Sequence, residues 1–477
     1  MPELYHRPRG LQYALFVLLP ISLSGCYVGP AYRHPEVPLP SAWRTEAAEP
    51  EAAQPQPDWW RSFGSAQLDD YIARAQAAND DIAAAIARVR EADAQARIAG
   101  AALLPSLAAS APAARERVQA PLVANPLNSG LRTYDQYTPG LGASYAVDFW
   151  GGNHAAHNAA LATAQASRFD RETVALTVVT SVAMSYFEVL EYRDRLQVAR
   201  QNLENAQLIL RDLEFEAQVG TATALDVAQQ ATTVATVNAE IPPLEQQLRQ
   251  SNDALAILIG IAPEQLEISE GSLDALTQPT VGAGLPSQLL ARRPDVAEAE
   301  AQLRAANANI GVARAAFFPS LNLTASGGYA STALSSLISP INRVWDISAT
   351  LAETIFDNGA HTGQYRYSKA RYDELLSDYH KTVLTALGNV EDALVAVQQS
   401  AEQQLRLQDA ADVSRRAFEF AQLQFQAGTT NVLTMLSVES ALFTAQDALV
   451  QGKFAHLQAL LDLYQALGGG WRQEQTH

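Results

Sequence analysis

The stretch ARAAFFPSLNLTASGGYA, residues 313–330, begins as helix, crosses Pro319 and continues in strict two-residue alternation. Leu321, Leu323, Ala325, Gly327 and Tyr329 fall on one face; Ser320, Asn322, Thr324 and Ser326 fall on the other. A period of two belongs to a strand, whose successive side chains point to opposite faces. A weaker copy, AGAALLPSLAASA, occupies 99–111. A helix therefore becomes a strand twice, at FFPSL and at LLPSL.

The duplication extends well beyond these junctions. NDDIAAAIARVREADAQARIAGAALLPSL (79–107) aligns without gaps to RPDVAEAEAQLRAANANIGVARAAFFPSL (293–321). VDFWGG (147–152) lines up with TIFDNG (354–359), and VGTATALDV (219–227) with AGTTNVLTM (427–435); the same offset of 208 carries Gly260 onto Gly468. Alanine-rich helices resemble one another by chance, but here helix, Pro, alternating segment, Gly turn and helix recur in one order.

Each repeat reads as short helix, strand, loop, strand, long helix, tight turn, helix. Repeat 1 spans 61–261, with strands about 102–118 and 136–150, a long helix 154–219, a turn 219–223 and a helix 224–260. Repeat 2 spans 291–469, with strands about 317–331 and 344–357, a long helix 360–427, a turn 427–431 and a helix 432–467. Residues 262–290 link the repeats and are expected to form an equatorial belt, and 470–477 are a tail. Residues 26–60 are an extended lead, with seven prolines between Pro30 and Pro57.

The second strand of each pair alternates well. Tyr137, Leu141, Ala143, Tyr145, Val147 and Phe149 oppose Thr138, Gly140, Gly142, Ser144 and Asp148; Trp345, Ile347, Ala349, Leu351 and Ile355 oppose Asp346, Ser348, Thr350 and Thr354. This pattern suits a half-buried soluble strand or a barrel strand with lipid outside and water inside. The intervening segments, ERVQAPLVANPLNSGLRTYDQ and STALSSLISPIN, are long and turn-rich, as extracellular barrel loops are.

The helices decide between the two. His154 to Val219 contains neither proline nor glycine over 66 residues, which at 1.5 Å per residue is roughly 100 Å. His361 to Ala427 repeats this with Gly363 and Gly388 inside. A helix that long needs partners along its length. Leu376, Tyr379, Val383, Leu387, Val390, Leu394 and Val397 form one coiled-coil seam, and Leu196, Ala199, Leu203, Ala206, Leu210 and Leu213 another. Two hairpins give four strands per chain, and lipid tolerates no open sheet edge. Strands in a membrane would thus be pooled from several chains, with FFPSL and LLPSL where a helical tunnel meets a barrel. The spacing does not exclude a dimer.

Composition narrows the function. Against 33 Lys plus Arg stand 51 Asp plus Glu, an acidic balance that argues against nucleic acid as a partner. The one cysteine, Cys26, permits no disulfide within the chain. Arg7 and Arg9 precede the apolar run LQYALFVLLPIS and then LSGC, so residues 1–25 are expected to be a signal peptide. Leu23-Ser24-Gly25-Cys26 resembles the bacterial lipoprotein box, which makes Cys26 the lipidated residue; Tyr27 after it implies the outer membrane. No Ser-His-acid motif, phosphate loop or Cys-based metal spacing is present, so an enzyme is not expected. His154 and His157 open a helix and read as solvated rather than metal-binding. With Met184 and Met435 alone after residue 25, a methionine relay for copper is unsupported. Pro242 and Pro243 fall inside a helix, where each costs about 3 kcal/mol unless a kink absorbs it.

At GLPSQLLARRPDVAEAEAQLRAANANIGVARAAFFPSLNLTA (284–325) the chain resembles the outer membrane factor family, the TolC-like channels, in its OprM/NodT-type lipoprotein branch. CYVGPAYRHPEVPLPSAW, WWRSFGSAQLDDYIARAQAANDDI and ALGGGW extend the likeness over nearly the whole chain. The resemblance implies a homotrimer, mainly α, with a twelve-strand barrel in outer membrane lipid continued by a periplasmic α-helical tunnel. It implies a passive exit duct for drugs or other small toxic compounds. A periplasmic adaptor and an inner-membrane pump, of resistance-nodulation-division type in this branch, would supply cargo and energy. No cofactor is implied beyond the lipid on Cys26. The adaptor would dock at the periplasmic turns, Val219, Gly220 and Thr221 and Ala427, Gly428 and Thr429. Relatives narrow the aperture with Asp rings just past the second turn; Thr434 and Ser437 stand there in this chain, with Glu439 two residues on and Asp226 at the matching place in repeat 1. All four are aperture candidates. Two rival readings stay open: the exit duct of a type I protein secretion system, and a lipid-anchored structural coiled coil of the periplasm.

Overall fold

The first repeat runs α1 (Ala66–Ala78), α2 (Asp80–Ala101), β1 (Ser106–Ser110), β2 (Ala113–Gln119), β3 (Leu131–Tyr137), β4 (Gly140–Val147), α3 (Gly152–Val219) and α4 (Ala224–Leu258). The second runs α5 (Pro294–Ala315), β5 (Ser320–Tyr329), β6 (Arg343–Ala352), α6 (Ala360–Gln426) and α7 (Val432–Ala466). The computed structural model describes residues 27–44, 55–119, 131–268 and 270–472. Cys26, residues 1–25 and the tail beyond 472 lie outside them. The chain divides into two compact units, each drawing on both repeats.

One unit gathers the described residues up to 35 with 90–166 and 300–378. Its four-stranded antiparallel sheet has the order β1-β4-β5-β6. The register sets Leu321 against Leu351, Leu323 against Ala349 and Gly327 against Trp345. The apolar face is uncovered in the single chain, with Trp345 78% exposed and Leu107 71%. On the other face Thr324 and Ser348 hydroxyls pair at 2.7 Å and those of Ser106 and Ser144 at 2.9 Å.

Repeat 1 departs from the expected strands. Each expected strand is broken by a proline, Pro112 or Pro139, which has no N–H for a ladder. Below the break β1 pairs with β4; above it β2 pairs with β3 in a separate two-stranded sheet. The supposed loop at 116–136 is therefore strand at both ends, stitched by Arg115 to Asp135 and by Tyr134 O–H donating to Glu116. The second strands also end early, at Val147 and Ala352. Beyond β4, Asp148 caps α3, accepting from the Asn153 and His154 N–H groups. Beyond β6, Asp357 caps α6 through Gly359 and His361. At FFPSL, Trp150 Nε1–H donates to the Pro319 carbonyl at 2.8 Å and the indole stacks on Phe318 at 4.6 Å. That pair fixes where helix becomes strand.

The other unit holds 36–89, 167–299 and the residues from 379 on. Trp59 stacks on Tyr464 at 4.6 Å, and Phe63, Ile72, Phe187, Leu190 and Leu255 complete a core in which each large side chain is worth about 1.5–3 kcal/mol. The two repeats close here by the same device. Asn79 Nδ2 donates to the Leu258 carbonyl at 2.9 Å, and Arg293, its aligned counterpart, donates to the Ala466 carbonyl at 2.9 Å. Next to them Gly260 and Gly468 adopt φ of 74° and 83°, with no room for a Cβ against the Ala78 and Arg292 carbonyls. The linker is pinned where Asp194 accepts from Ser272 Oγ and the Leu273 N–H.

The seams are shifted from their expected register. Ile209 rather than Leu210 is buried on α3, and Leu375, Ala386 and Ala393 join the buried stripe of α6. A helix of 3.6 residues per turn drifts against a 3.5-residue repeat, so adjoining positions exchange the inward role. Pro242 and Pro243 sit exposed within α4, which continues through them. One window of α3 is apolar enough for a membrane span, and half of it is buried in the protein.

Candidate functional site

In the second unit, α3 ends at Val219 and α6 just before Ala427. Gly220 follows with φ of 84° and Gly428 with φ of 68°, the left-handed conformation that closes a helix. The Thr221 N–H and Oγ1–H donate to the Glu216 carbonyl at 2.9 and 3.0 Å. Thr429 does the same to the Gln424 carbonyl, at 2.9 and 3.0 Å. The turns are thus two copies of one motif, each offering its glycine to open space.

The next helices start differently. Thr223 and Asp226 form a reciprocal capping box: Asp226 N–H donates to Thr223 Oγ1, and the Thr223 N–H and Oγ1–H donate to Asp226 Oδ2. Those bonds from Thr223 hold the exposed Asp226 carboxyl below its usual range. In repeat 2, Asn431 is the cap, accepting from Thr434 N–H at 2.8 Å and Thr434 Oγ1–H at 2.9 Å. Thr434 therefore does Asp226's local work without a charge. Ser437 is exposed.

Glu439 is not placed to line an aperture. It is fully buried, because Val432, Met435, Glu439 and Leu442 share the inward stripe of α7 at spacings of three and four. Burial pushes its carboxyl up to about 7, with Gln230 alone pulling the other way. The spacing was visible in the sequence; its charge disguised it.

Ile209, Leu213, Ala421, Val432 and Met435 pack beneath the turns. Beside them a cavity of about 190 Å³ lies between α3 and α6, lined by Ile209, Asp212, Phe215, Glu216, Phe425 and Met435 among others. Phe215, Val219, Leu225, Phe420, Leu423 and Leu433 leave large apolar side chains exposed around the tip. Among the described residues no cluster of three or more His, Cys, Asp or Glu side chains is arranged to hold a metal. Cys26 falls outside the described residues, but the segment after it is tied down: Val28 N–H donates to the Trp150 carbonyl and Asn307 Nδ2 to the Pro30 carbonyl.

Residues 71–261 and 285–469 match the outer membrane efflux protein family, and the chain belongs to it. It is 42% identical over 455 residues to the pyoverdine export outer membrane protein OpmQ of Pseudomonas aeruginosa, with 95% of both chains covered. It is 32% identical over 461 residues to the probable efflux pump outer membrane protein TtgC of Pseudomonas putida, covering 95% of this chain and 94% of that one. The fold matches the outer-membrane channel OprN with a TM-score of 0.88 at 26% identity, covering 94% of this chain and all of that one. The protein is an outer membrane channel of the TolC-like class, the exit duct of a tripartite efflux system.

Proposed function

We propose that three copies pool their strands into one twelve-strand barrel, continued by a helical tunnel that conducts cargo passively. The observation that carries this reading is the sheet β1-β4-β5-β6: it has an uncovered apolar face, and its edges β1 and β6 lack partners among the described strands. In lipid those edges must be paired by another chain. Energy and cargo come from an inner-membrane pump of resistance-nodulation-division type through a periplasmic adaptor. The adaptor docks around Val219, Gly220, Thr221, Ala427, Gly428 and Thr429, where exposed apolar side chains await cover. The aperture is framed by Asp226, Thr434 and Ser437 and is less acidic than in relatives with Asp rings. Lipid on Cys26 anchors the chain. Because the relative at 42% identity is named for pyoverdine export, pyoverdine is the first cargo to test.

The deciding experiment is the protein mass of the detergent-extracted particle from an outer-membrane fraction. A trimer resistant to mild denaturation supports the shared barrel. A monomer, or a coiled-coil oligomer released without detergent once the lipid is removed, overturns it.

A further inference from the structure

At the base of the tip, three buried oxygen acceptors lack partners. Glu439 on α7 is 0% exposed, and neither carboxylate oxygen has a hydrogen-bond partner. Gln230 on α4 is 0% exposed as well, and its Oε1 is equally unpartnered. Gln230 Nε2 donates to the Ala206 carbonyl on α3 at 2.9 Å. That bond orients the amide, since turning it over would set Oε1 against a carbonyl oxygen. An ionised Glu439 would thus be a desolvated charge with only the second N–H of the Gln230 amide near it, the first being given to the Ala206 carbonyl, and that single neutral donor does not offset burial. The neutral acid has an O–H, and Gln230 Oε1 is the free acceptor beside it.

We infer that Glu439 is held as the neutral acid in the packed tip, donates to Gln230 Oε1, and makes the α7–α4 contact a latch that loosens when the proton leaves. Ionisation is favoured only where water reaches the carboxylate, which requires α7 to part from α3 and α4. The nearby charges do not supply an alternative partner. Asp212 and Glu216 on α3 are at the cavity, Asp226 on α4 is committed to its cap, and Arg415, Arg416 and Glu419 on α6 are exposed. On α7, Asp447 is paired with Arg195. None of these shifts the Glu439 carboxyl, which burial sets near 7.

The sign follows from linkage. A carboxyl raised in the packed state from 4.5 to about 7 favours packing fully below 4.5 and progressively less up to about 7. Within that window the packing equilibrium weakens up to about tenfold per pH unit. The inference concerns regulation of the proposed tip, but its test does not depend on conduction.

The test uses the full chain in detergent, comparing infrared difference spectra and hydrogen-exchange protection of residues 224–245 and 432–447, corrected for intrinsic rates, from about pH 5 to about pH 8. The expected result is a protonated-carboxyl band near neutral pH that Glu439→Gln removes. Protection in the wild type should fall with rising pH, while Glu439→Gln stays protected throughout. The same pH dependence in Glu439→Gln, or no carboxyl band lost with it, overturns the inference. Gln230→Met supplies a second reading: the band should persist but shift in frequency as its acceptor is lost, and an unshifted band rules out the Gln230 partnership. A particle of the wrong mass would sink the duct reading and leave these outcomes intact.

Discussion

Arg195 grips Asp447 with two nitrogens, Nε at 2.7 Å from Oδ1 and a terminal nitrogen at 3.3 Å from Oδ2, tying α3 of one repeat to α7 of the other. Its remaining nitrogen donates to Glu191, one turn back on α3 and only 5% exposed. Gln451 completes the cluster by donating to Asp447 at 2.6 Å. A guanidinium serves two carboxylates on different elements in a way an ammonium does not match.

Removing that cation strands a buried charge. Arg195→Ala is expected to lower stability by about 2–4 kcal/mol and Arg195→Lys by about half as much. Burial lifts the Glu191 carboxyl to about 7 while Arg195 opposes the rise. A raised carboxyl weakens the folded state as pH climbs from 4.5 through about 7, and without Arg195 that loss should grow. Thermal unfolding of both variants across that range measures it; a melting temperature for Arg195→Ala equal to the wild type at neutral pH would remove the cluster from the stabilising contacts.

Two kinds of glycine should respond differently to alanine. Gly428 has φ of 68° with open space where a Cβ would go, so Gly428→Ala meets backbone strain alone, about 1–2 kcal/mol. At Gly468 the added Cβ would sit 2.0 Å from the Arg292 carbonyl oxygen, and that backbone must move. Gly468→Ala is expected to cost more than about 3 kcal/mol, or to prevent assembly. Denaturant midpoints of the two variants give the comparison, and equal losses would count against close approach as the reason for Gly468.

Charge and cap can be separated at Asp226. Thr223→Ala removes the reciprocal cap while keeping the carboxylate, and should destabilise by about 1 kcal/mol without changing permeability. Asp226→Lys removes the cap and reverses the charge. Cells carrying it are expected to become more susceptible to large antibiotics, if Asp226 helps keep the duct shut. Matching susceptibility of the two variants and the wild type would confine Asp226 to its capping role.

Much of this was legible because local chemistry determined it. FFPSL, the glycine turns and the two-residue alternation each rest on neighbours within a few positions, and the gapless repeat supplied the order of elements. What escaped depends on distant partners. Arg195 and Asp447 stand 252 positions apart, and no spacing joins them. Pro112 and Pro139 were plain to see, yet that they break both strands at one level follows only from the β1–β4 pairing. Glu439 lay on an inward stripe, but an acid argues for solvent unless something buried faces it, and that something is Gln230 on another helix. Ile209 displaced Leu210 because adjacent apolar residues leave the seam's register open.

The lipid proposed on Cys26 should be dispensable for assembly, because the segment that follows is already fastened by the protein. Glu300 on α5 accepts from Tyr32 O–H at 3.2 Å and from Arg304 at 2.6 Å, and pairs with His34 at 2.9 Å. Arg304 also lies 5.2 Å from the Tyr32 ring centre. Burial alone would raise the Glu300 carboxyl, but the bonds from His34 and Arg304 hold it below its usual range. The clamp is therefore present above the ordinary carboxylate pKa and is lost as pH falls through the lowered one. Cys26→Ser is expected to leave trimers in the outer membrane at reduced amount, while Cys26→Ser with Glu300→Ala should leave markedly fewer. Quantifying detergent-resistant trimer in the two strains checks this. Complete loss of trimer in Cys26→Ser alone would make the lipid, and not the clamp, the feature on which assembly depends.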